Sequence, residues 1–518
     1  MNFKIQITVL FIGMVGLVFS QTSSSGGIVE FSKLTLSESP VVESNRLSIT
    51  NAEGDFQIQK SFFDYQLTSG ITAGANNSNL FAADPRSSLL NNNELDASNL
   101  NLGLGLQKRF RIGLVASFSV DYTRLNDNFP LNRFNQNIGA NIDDHSMTST
   151  FSLTQPLLRG SVNVASALEE SSILNLESEK TNLTFKNSFE LLQTANAYWQ
   201  YVAANKSLAV FQENQNRVQR VLDITKELVE ADKKPAGDLA QIQADLANQA
   251  RQTKVAEQNL YTAKLNLGRA IGLNEEDSKK INTPVDDFPG ITTSGYTANL
   301  DLNKYILLAQ ENRSDIEATK QIEEAVKLQL QFAENGRKPQ LDLTGFVNYG
   351  GANIGNGINN ALATLTQREG RSLGFGVRLN FSFPINNNNA RGNYTKSKVA
   401  LENQQISNQN LKRNIDLNVS IALNNLNNSV LVLEKAEESL SYYKQVFSNE
   451  KEKFQNGLTT LLNLILFQER LTFAELEYLQ AHQQFASAIV NLRYQTGTLI
   501  GESNKNITRD LFYTIPKI

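Results

Sequence analysis

Ser372-Leu373-Gly374-Phe375-Gly376-Val377-Arg378-Leu379-Asn380-Phe381-Ser382-Phe383 alternates without a break between apolar and small or polar side chains. Successive side chains of a β-strand point to opposite faces, so this stretch predicts a strand whose Leu373, Phe375, Val377, Leu379, Phe381 and Phe383 form one wholly apolar face. The same period of two recurs at Phe63-Tyr65-Leu67, Leu100-Leu102-Leu104-Leu106, Ile112-Leu114-Ala116-Phe118-Val120-Tyr122, Phe151-Leu153 and Leu341-Leu343. The strands that these runs mark are each roughly 9 to 12 residues, the length of a tilted strand that crosses a bilayer. A soluble sandwich with one buried face alternates in the same way. Context favours the membrane: an export signal, glycine and polar residues on the second face, and the Asn-rich loops at Asn91-Asn92-Asn93 and from Gly350 to Asn360.

The period then changes. Helical blocks follow the strands, from about Val162 to Glu230 and from about Arg391 to Phe454. In the second block Val419, Leu426, Leu433, Leu440, Phe447 and Phe454 recur every seven residues, with Leu423 and Val430 between them. A seven-residue apolar repeat is a coiled-coil seam with a left-handed supercoil. At 1.5 Å per residue, about 65 residues extend about 100 Å, far more than a globular domain uses.

Each long helix runs into a glycine-bearing turn and then a second helical stretch. The turns are Lys234-Pro235-Ala236-Gly237-Asp238 and Gln455-Asn456-Gly457-Leu458-Thr459. Glycine suits a helix terminus that needs a positive φ, and Asp238 or Thr459 can cap the returning helix. Both turns therefore read as tips of long α-hairpins. The order strands, long helix, tip, returning helix occurs twice, as does an opening motif, Asn45-Arg46-Leu47-Ser48-Ile49 and Asn312-Arg313-Ser314-Asp315-Ile316. This is the pattern of a duplicated ancestor.

The expected organisation is a signal peptide at 1–20, an N-terminal segment and first helix at 21–60, and the first barrel strands with an additional hairpin at 61–160. A first long helical hairpin follows at 161–270, then a linker and equatorial side domain at 271–300. The second copy has a helix at 301–337, a barrel hairpin at 338–386 and a long helical hairpin at 387–497, before a C-terminal segment at 498–518.

Composition excludes much else. Met1 to Ser20 carries Lys4 and then an apolar run from Ile5 to Phe19, too short to span a bilayer, so it reads as a secretory signal cleaved before Gln21. Every later apolar run is broken by Asn, Gln, Ser or charge, so a membrane-embedded mature chain enters as strands. The absence of cysteine removes disulfides, thiol nucleophiles, Cys-based zinc sites and a lipid anchor on cysteine. Only His145 and His482 are present, which leaves little room for a metal site or a catalytic triad, and both read as structural or solvated. A net charge of −4 argues against nucleic acid as partner. The run Gly350-Gly351-Ala352-Asn353-Ile354-Gly355 lacks the Lys and Ser/Thr of a phosphate loop. The paired acids Glu323-Glu324 and Glu437-Glu438 read as solvated helix faces. No cofactor and no enzymatic activity are expected.

Up to six strands cannot close a membrane barrel alone, because the smallest single-chain barrels need about eight and an open edge in lipid leaves backbone groups unsatisfied. Long amphipathic hairpins likewise need neighbours. An oligomer answers both needs, with a shared barrel above a ring of helices whose Asn and Gln wet the interior. A coiled-coil adhesin or spacer of the envelope would explain the heptads and the signal, and leaves the strands unexplained. A monomeric porin is contradicted by the helices.

Over nearly its whole mature length the chain resembles the TolC-type outer membrane efflux family. The residues that carry the resemblance are Gln155-Pro156-Leu157-Leu158-Arg159-Gly160 between strand and helix, Asn312-Arg313 to Ile316, and Phe381-Ser382-Phe383-Pro384-Ile385 before the second long helix. They continue with Gly457-Leu458-Thr459, Leu461-Leu462, Gln468 and Leu471, Ala474, Gln480-Ala481, Leu492 and Thr496-Gly497. The resemblance implies a homotrimer whose barrel sits among the lipids of a Gram-negative outer membrane and whose helical tunnel projects into the periplasm. It also implies a periplasmic adaptor (membrane fusion) protein and an inner-membrane transporter of the RND type, proton-driven, or the ABC type, ATP-driven, in efflux or type I secretion. Family members usually contribute four barrel strands, so the stretch from Leu100 to Tyr122, around Arg109-Phe110-Arg111, is either part of the barrel or an elaboration of it. Some relatives narrow the periplasmic mouth with acids six and nine residues after the tip glycine. Here Asn463 and Leu466 stand at those places, and Gln243 is the sixth residue after Gly237. One reading holds the mouth shut by amide and apolar contacts near Phe454, Asn463 and Leu466 with little cation binding; the other has these residues only packing the tips.

Overall fold

The computed structural model describes residues 26–85, 87–128, 143–162, 164–364, 366, 370–500 and 506–518. The expected signal peptide lies outside the described residues. Two helices, α1 (Ile28–Glu38) and α2 (Pro40–Lys60), precede strands β1 (Tyr65–Asn79), β2 (Glu94–Arg109), β3 (Val115–Asp127) and β4 (Asp143–Pro156). The helices α3 (Ala167–Glu230), α4 (Gly237–Ile271), α5 (Glu275–Lys279), α6 (Leu302–Asn312) and α7 (Ser314–Asn335) come next. Then follow β5 (Gln340–Ile354), α8 (Ile358–Ala363), β6 (Ser372–Ser382), α9 (Asn388–Gln455), α10 (Leu461–Gln495) and α11 (Asp510–Tyr513). No described helix is long and apolar enough to cross a membrane.

The duplication is visible element by element. Both α1 and α6 have 11 residues, α2 and α7 have 21 and 22, and α4 and α10 have 35 each. One and the same offset carries buried Phe31 onto buried Tyr305 and the extended break residue Ser39 onto Arg313. This offset corrects the sequence-based alignment of the opening motifs. Asn45 and Arg46 lie inside α2, past the break, whereas Arg313 is the break itself. There its guanidinium pairs with Asp315 at 2.7 Å and stacks on Phe185.

The chain divides into two units. One, residues 44–186 and 313–417, contains the sheet. Its six strands are antiparallel in the order β1-β2-β3-β4-β5-β6, open at β1 and β6. The stretch around Arg109-Phe110-Arg111 is thus the turn between two full members of the sheet. The register aligns chemistry across all strands. Leu67, Leu106, Phe118, Phe151, Val347 and Phe375 are successive cross-strand partners on one face, and each is exposed. The next row, on the opposite face, is Thr68, Gly105, Ser119, Thr150, Asn348 and Gly374. Among the described residues no second layer covers this apolar face, unlike the buried face of a soluble sandwich.

The strands run 11 to 16 residues, longer than their apolar alternation, because ladder hydrogen bonding continues into polar ends such as Glu94–Ser98. Phe63 is not part of β1. It sits in a 3-10 turn and is buried, while the strand begins at Tyr65. Gly350 to Ile354 belong to β5 and not to a loop, and His145 lies within β4, where its ring meets the Tyr122 hydroxyl at 2.7 Å and the Gly355 carbonyl at 2.9 Å.

The other unit comprises the described parts of residues 1–43, 187–312 and 418–518. Its main core gathers Ile28 and Phe31 of α1, Leu191, Tyr198 and Trp199 of α3, Leu267 and Ile271 of α4, Phe288, Val490 of α10, and Phe512. The linker after α4 is drawn into this core through Ile281 and Phe288. The predicted seam is buried within a single chain: Val419, Leu423, Leu426, Val430, Leu433, Leu440 and Phe454 are all buried, and Phe447 is half-buried. Burying each such side chain contributes about 2 kcal/mol.

Candidate functional site: hairpin tips and strand-to-helix junctions

At the first tip the positive φ falls on Asp232, not on Gly237. Lys233 N–H donates to the Leu228 carbonyl at 2.9 Å, closing α3 with a C-terminal turn in which Asp232 is left-handed. Gly237 is instead the first residue of α4, behind an Ala236 that offers no side-chain cap. Asp238 makes no cap but places its charge in the first turn, where the helix dipole favours it. The second tip follows expectation at Gly457, whose φ is 73°. The Leu458 N–H donates to the Lys453 carbonyl at 2.9 Å, and the cap of α10 is Thr460, which accepts from Asn463 N–H. Thr459 is occupied elsewhere: its hydroxyl bonds the Glu450 carboxylate and receives the Asn463 side-chain amide at 3.3 Å. That hydroxyl and then Lys453 hold the Glu450 carboxyl below its ordinary range.

The two tips of one chain are joined. Lys234 donates to the Thr459 carbonyl at 3.1 Å, and its ammonium lies 5.0 Å from the centre of the Phe454 ring. Phe454 is fully buried in a cluster with Val218, Val221, Ile242, Leu461 and Leu464, drawn from α3, α4, α9 and α10. Its ring is therefore part of the core of the tip. Gln243, Asn463 and Leu466 are exposed, as are Leu458 and Leu462. The expected group thus separates into a packing residue, Phe454, and a surface set around Asn463 and Leu466.

Above the tips lies a polar layer that periodicity does not reveal. Asn214 of α3, Gln249 of α4 and Gln468 of α10 are buried and linked: Gln468 donates to Asn214 at 3.0 Å, Asn214 to Gln249 at 2.9 Å, and Gln249 to Asp245 at 3.0 Å. Arg217 of α3 reaches Glu475 and Thr472 of α10. Some of the helical amides expected to wet an interior are thus dry struts between helices of one chain.

The junctions are built around Asn335. Gly160, with φ 78°, donates its N–H to the Asn335 side chain at 2.7 Å, and Asn335 reaches the Leu158 carbonyl. Pro156 ends β4, Gln155 bonds the Pro156 and Ile112 carbonyls, and Leu157 N–H extends the ladder to Leu341 at 2.8 Å. In the second copy Pro384 follows β6 and lines an open groove with Arg159, Phe332 and Asn387. Nearby Glu323 does more than face solvent, since it accepts from Asn408 of α9 at 2.7 Å.

Residues 306–498 match the family model described as outer membrane efflux protein. The remainder is placed by fold. The chain is similar to the outer-membrane channel OprN, at 14% identity and TM-score 0.66 over 91% of this chain and 90% of that one. It is likewise similar to the Campylobacter jejuni CmeC outer membrane channel, at 15% identity and TM-score 0.66 over 94% and 89%. Similarity to the Vibrio cholerae outer membrane protein VceC is 14% identity and TM-score 0.62 over 91% and 96%. No curated protein sequence matches. The chain therefore has the fold of these channels, helix-rich with a six-stranded antiparallel sheet.

Proposed function

We propose that the chain is the outer-membrane exit duct of a tripartite efflux or type I secretion system, conducting substrates passively and hydrolysing nothing. The observation that carries this reading is the sheet. Its exposed, mainly apolar face and two open edges are unstable in water and in lipid alike unless copies close it into a barrel. Helices of 64 and 68 residues, about 100 Å each, are of a length to line a periplasmic passage below it. The assembly is a homotrimer in a Gram-negative outer membrane. A periplasmic adaptor docks on the hairpins and connects them to an RND-type or ABC-type inner-membrane transporter.

The periplasmic mouth closes by amide and apolar contacts between copies around Asn463, Gln243, Leu462 and Leu466, with little cation binding. The exposure of these side chains in one chain supports this. The test is reconstitution of the detergent-purified protein into planar bilayers. Discrete channels that low concentrations of divalent cation leave open are expected; a water-soluble monomer without conductance sinks the duct, and strong cation block sinks the closure.

A further inference from the structure

We propose that β2 and β3 are wall strands of the pore, so that three copies close an eighteen-stranded barrel with a lumen wide enough for hydrated solutes of about 10 Å radius. This rests on the trimeric channel reading and adds to it the width and lining of the passage.

The duplication supplies the first argument. The paired helices of the two copies match in order and closely in length, yet among the described residues the first copy contributes four strands and the second two. The excess pair is β2–β3 or an equivalent insertion, and its chemistry could have been that of a surface ornament. It is not. β1 pairs only with β2, and β3 only with β2 and β4, so removing the pair detaches β1 from the sheet. Both chemical rows run through it without interruption: Leu106 and Phe118 continue the apolar face, Gly105 and Ser119 the small polar one.

The turn of the pair is also fastened from below. Arg111 forms a bidentate pair with Glu169 at the start of α3 and lies over the Phe63 ring. Arg109 lies 4.5 Å from the centre of the Phe62 ring. A Cβ at Gly113, where φ is 83°, would fall 2.4 Å from the Gly160 carbonyl, so the turn fits against the strand-to-helix junction with no room to spare. A hairpin fixed at its turn and paired along both strands is a structural wall.

Closure then sets the width. Strands about 4.8 Å apart and tilted about 40° give a backbone radius of about 18 Å for eighteen strands and about 12 Å for twelve. A side-chain layer of about 5 Å leaves lumen radii of about 13 and about 7 Å. The inner rows, mainly Gly, Ser, Thr and Asn, fill little of that space. The barrel therefore imposes no size selection on small-molecule cargo.

The chain has no cysteine, which makes single-thiol labelling clean. Ser119→Cys in β3, Thr150→Cys in β4 and Val120→Cys on the apolar face are prepared in the full chain, placed in lipid vesicles and treated with two reagents. One is a small lipid-soluble maleimide. The other is a maleimide on a neutral polymer that a lumen of about 13 Å admits and one of about 7 Å excludes. Expected are comparable polymer labelling of Ser119→Cys and Thr150→Cys, and labelling of Val120→Cys by the lipid-soluble reagent alone. Polymer labelling of Thr150→Cys without Ser119→Cys overturns the wall assignment, and polymer exclusion from both overturns the width. The mass of the complex is measured on the same material. A count other than three sinks the trimeric channel, whereas three copies with Ser119→Cys out of reach sink only the placement of the hairpin.

Discussion

Arg217 of α3 grips Glu475 of α10 with two hydrogen bonds, 2.8 and 3.3 Å, and both side chains are largely buried. The pair bridges the two helical hairpins of one chain, and its second guanidinium nitrogen also donates to Thr472. Arg217→Met leaves the Glu475 carboxylate without its partner and is expected to cost about 3 kcal/mol. The double variant Arg217→Met, Glu475→Leu should recover much of that loss. Chemical unfolding followed by circular dichroism checks the order; a single variant no less stable than the double would refute it.

The amide relay behaves differently because its members are neutral. Gln468→Leu removes the donor to Asn214 and leaves a buried oxygen unpaired, at a cost of about 1–3 kcal/mol. Replacing Asn214, Gln249 and Gln468 together by Leu should cost less than the sum of the single changes. A strictly additive triple variant would show that the three amides do not act as a connected group.

His482 stacks on Phe288 and meets Tyr478 edge-on, with Asp287, Lys206 and Glu437 near enough to act on it electrostatically. Burial holds its imidazole below the usual range, against the pull of Asp287 and Glu437. The unfolded chain therefore binds the proton more readily. Stability should be highest above the unfolded value of about 6.5 and fall as pH drops below it towards the folded value. His482→Phe, which keeps the ring contacts, should flatten this slope in melting temperatures measured across mildly acidic pH; an unchanged slope would assign the effect to other groups.

The two faces of the sheet should answer charge in opposite ways. Val120→Arg puts a cation on the face read as facing lipid and should cost up to about 2–4 kcal/mol of barrel stability, depending on depth. Ser119→Arg, one residue away on the other face, should be nearly neutral. Heat-dependent mobility of the folded barrel in detergent gels reads both, and equal sensitivity would mean that neither face meets lipid.

Much of the architecture was legible from local repetition. A period of two at Leu373 to Phe383 marks a strand, and a period of seven from Val419 to Phe454 marks a seam, because side-chain direction is set by the backbone geometry of a few neighbouring residues. The second tip at Gly457 was legible for the same reason. At the first tip the turn lies where the sequence places it and only the left-handed residue differs, since Asp232 takes that conformation and Gly237 begins α4. Asn is usual there after Gly, and Asp tolerates it for the same short polar side chain. The junction residue Asn335 carried no signal, because its partners Gly160 and Leu158 come from the other copy.

Sequence by itself determined the main strands and long helices, their duplicated order and the chemical sidedness of the strands, all of which depend on residues close along the chain. Only the tertiary structure decided that β2 and β3 stand inside the sheet, that Phe454 belongs to a core and that Asn214, Gln249 and Gln468 bond one another. Those outcomes are set by which distant segments meet, and a group's role as wall, core or strut is a property of the surface it meets rather than of the residue alone.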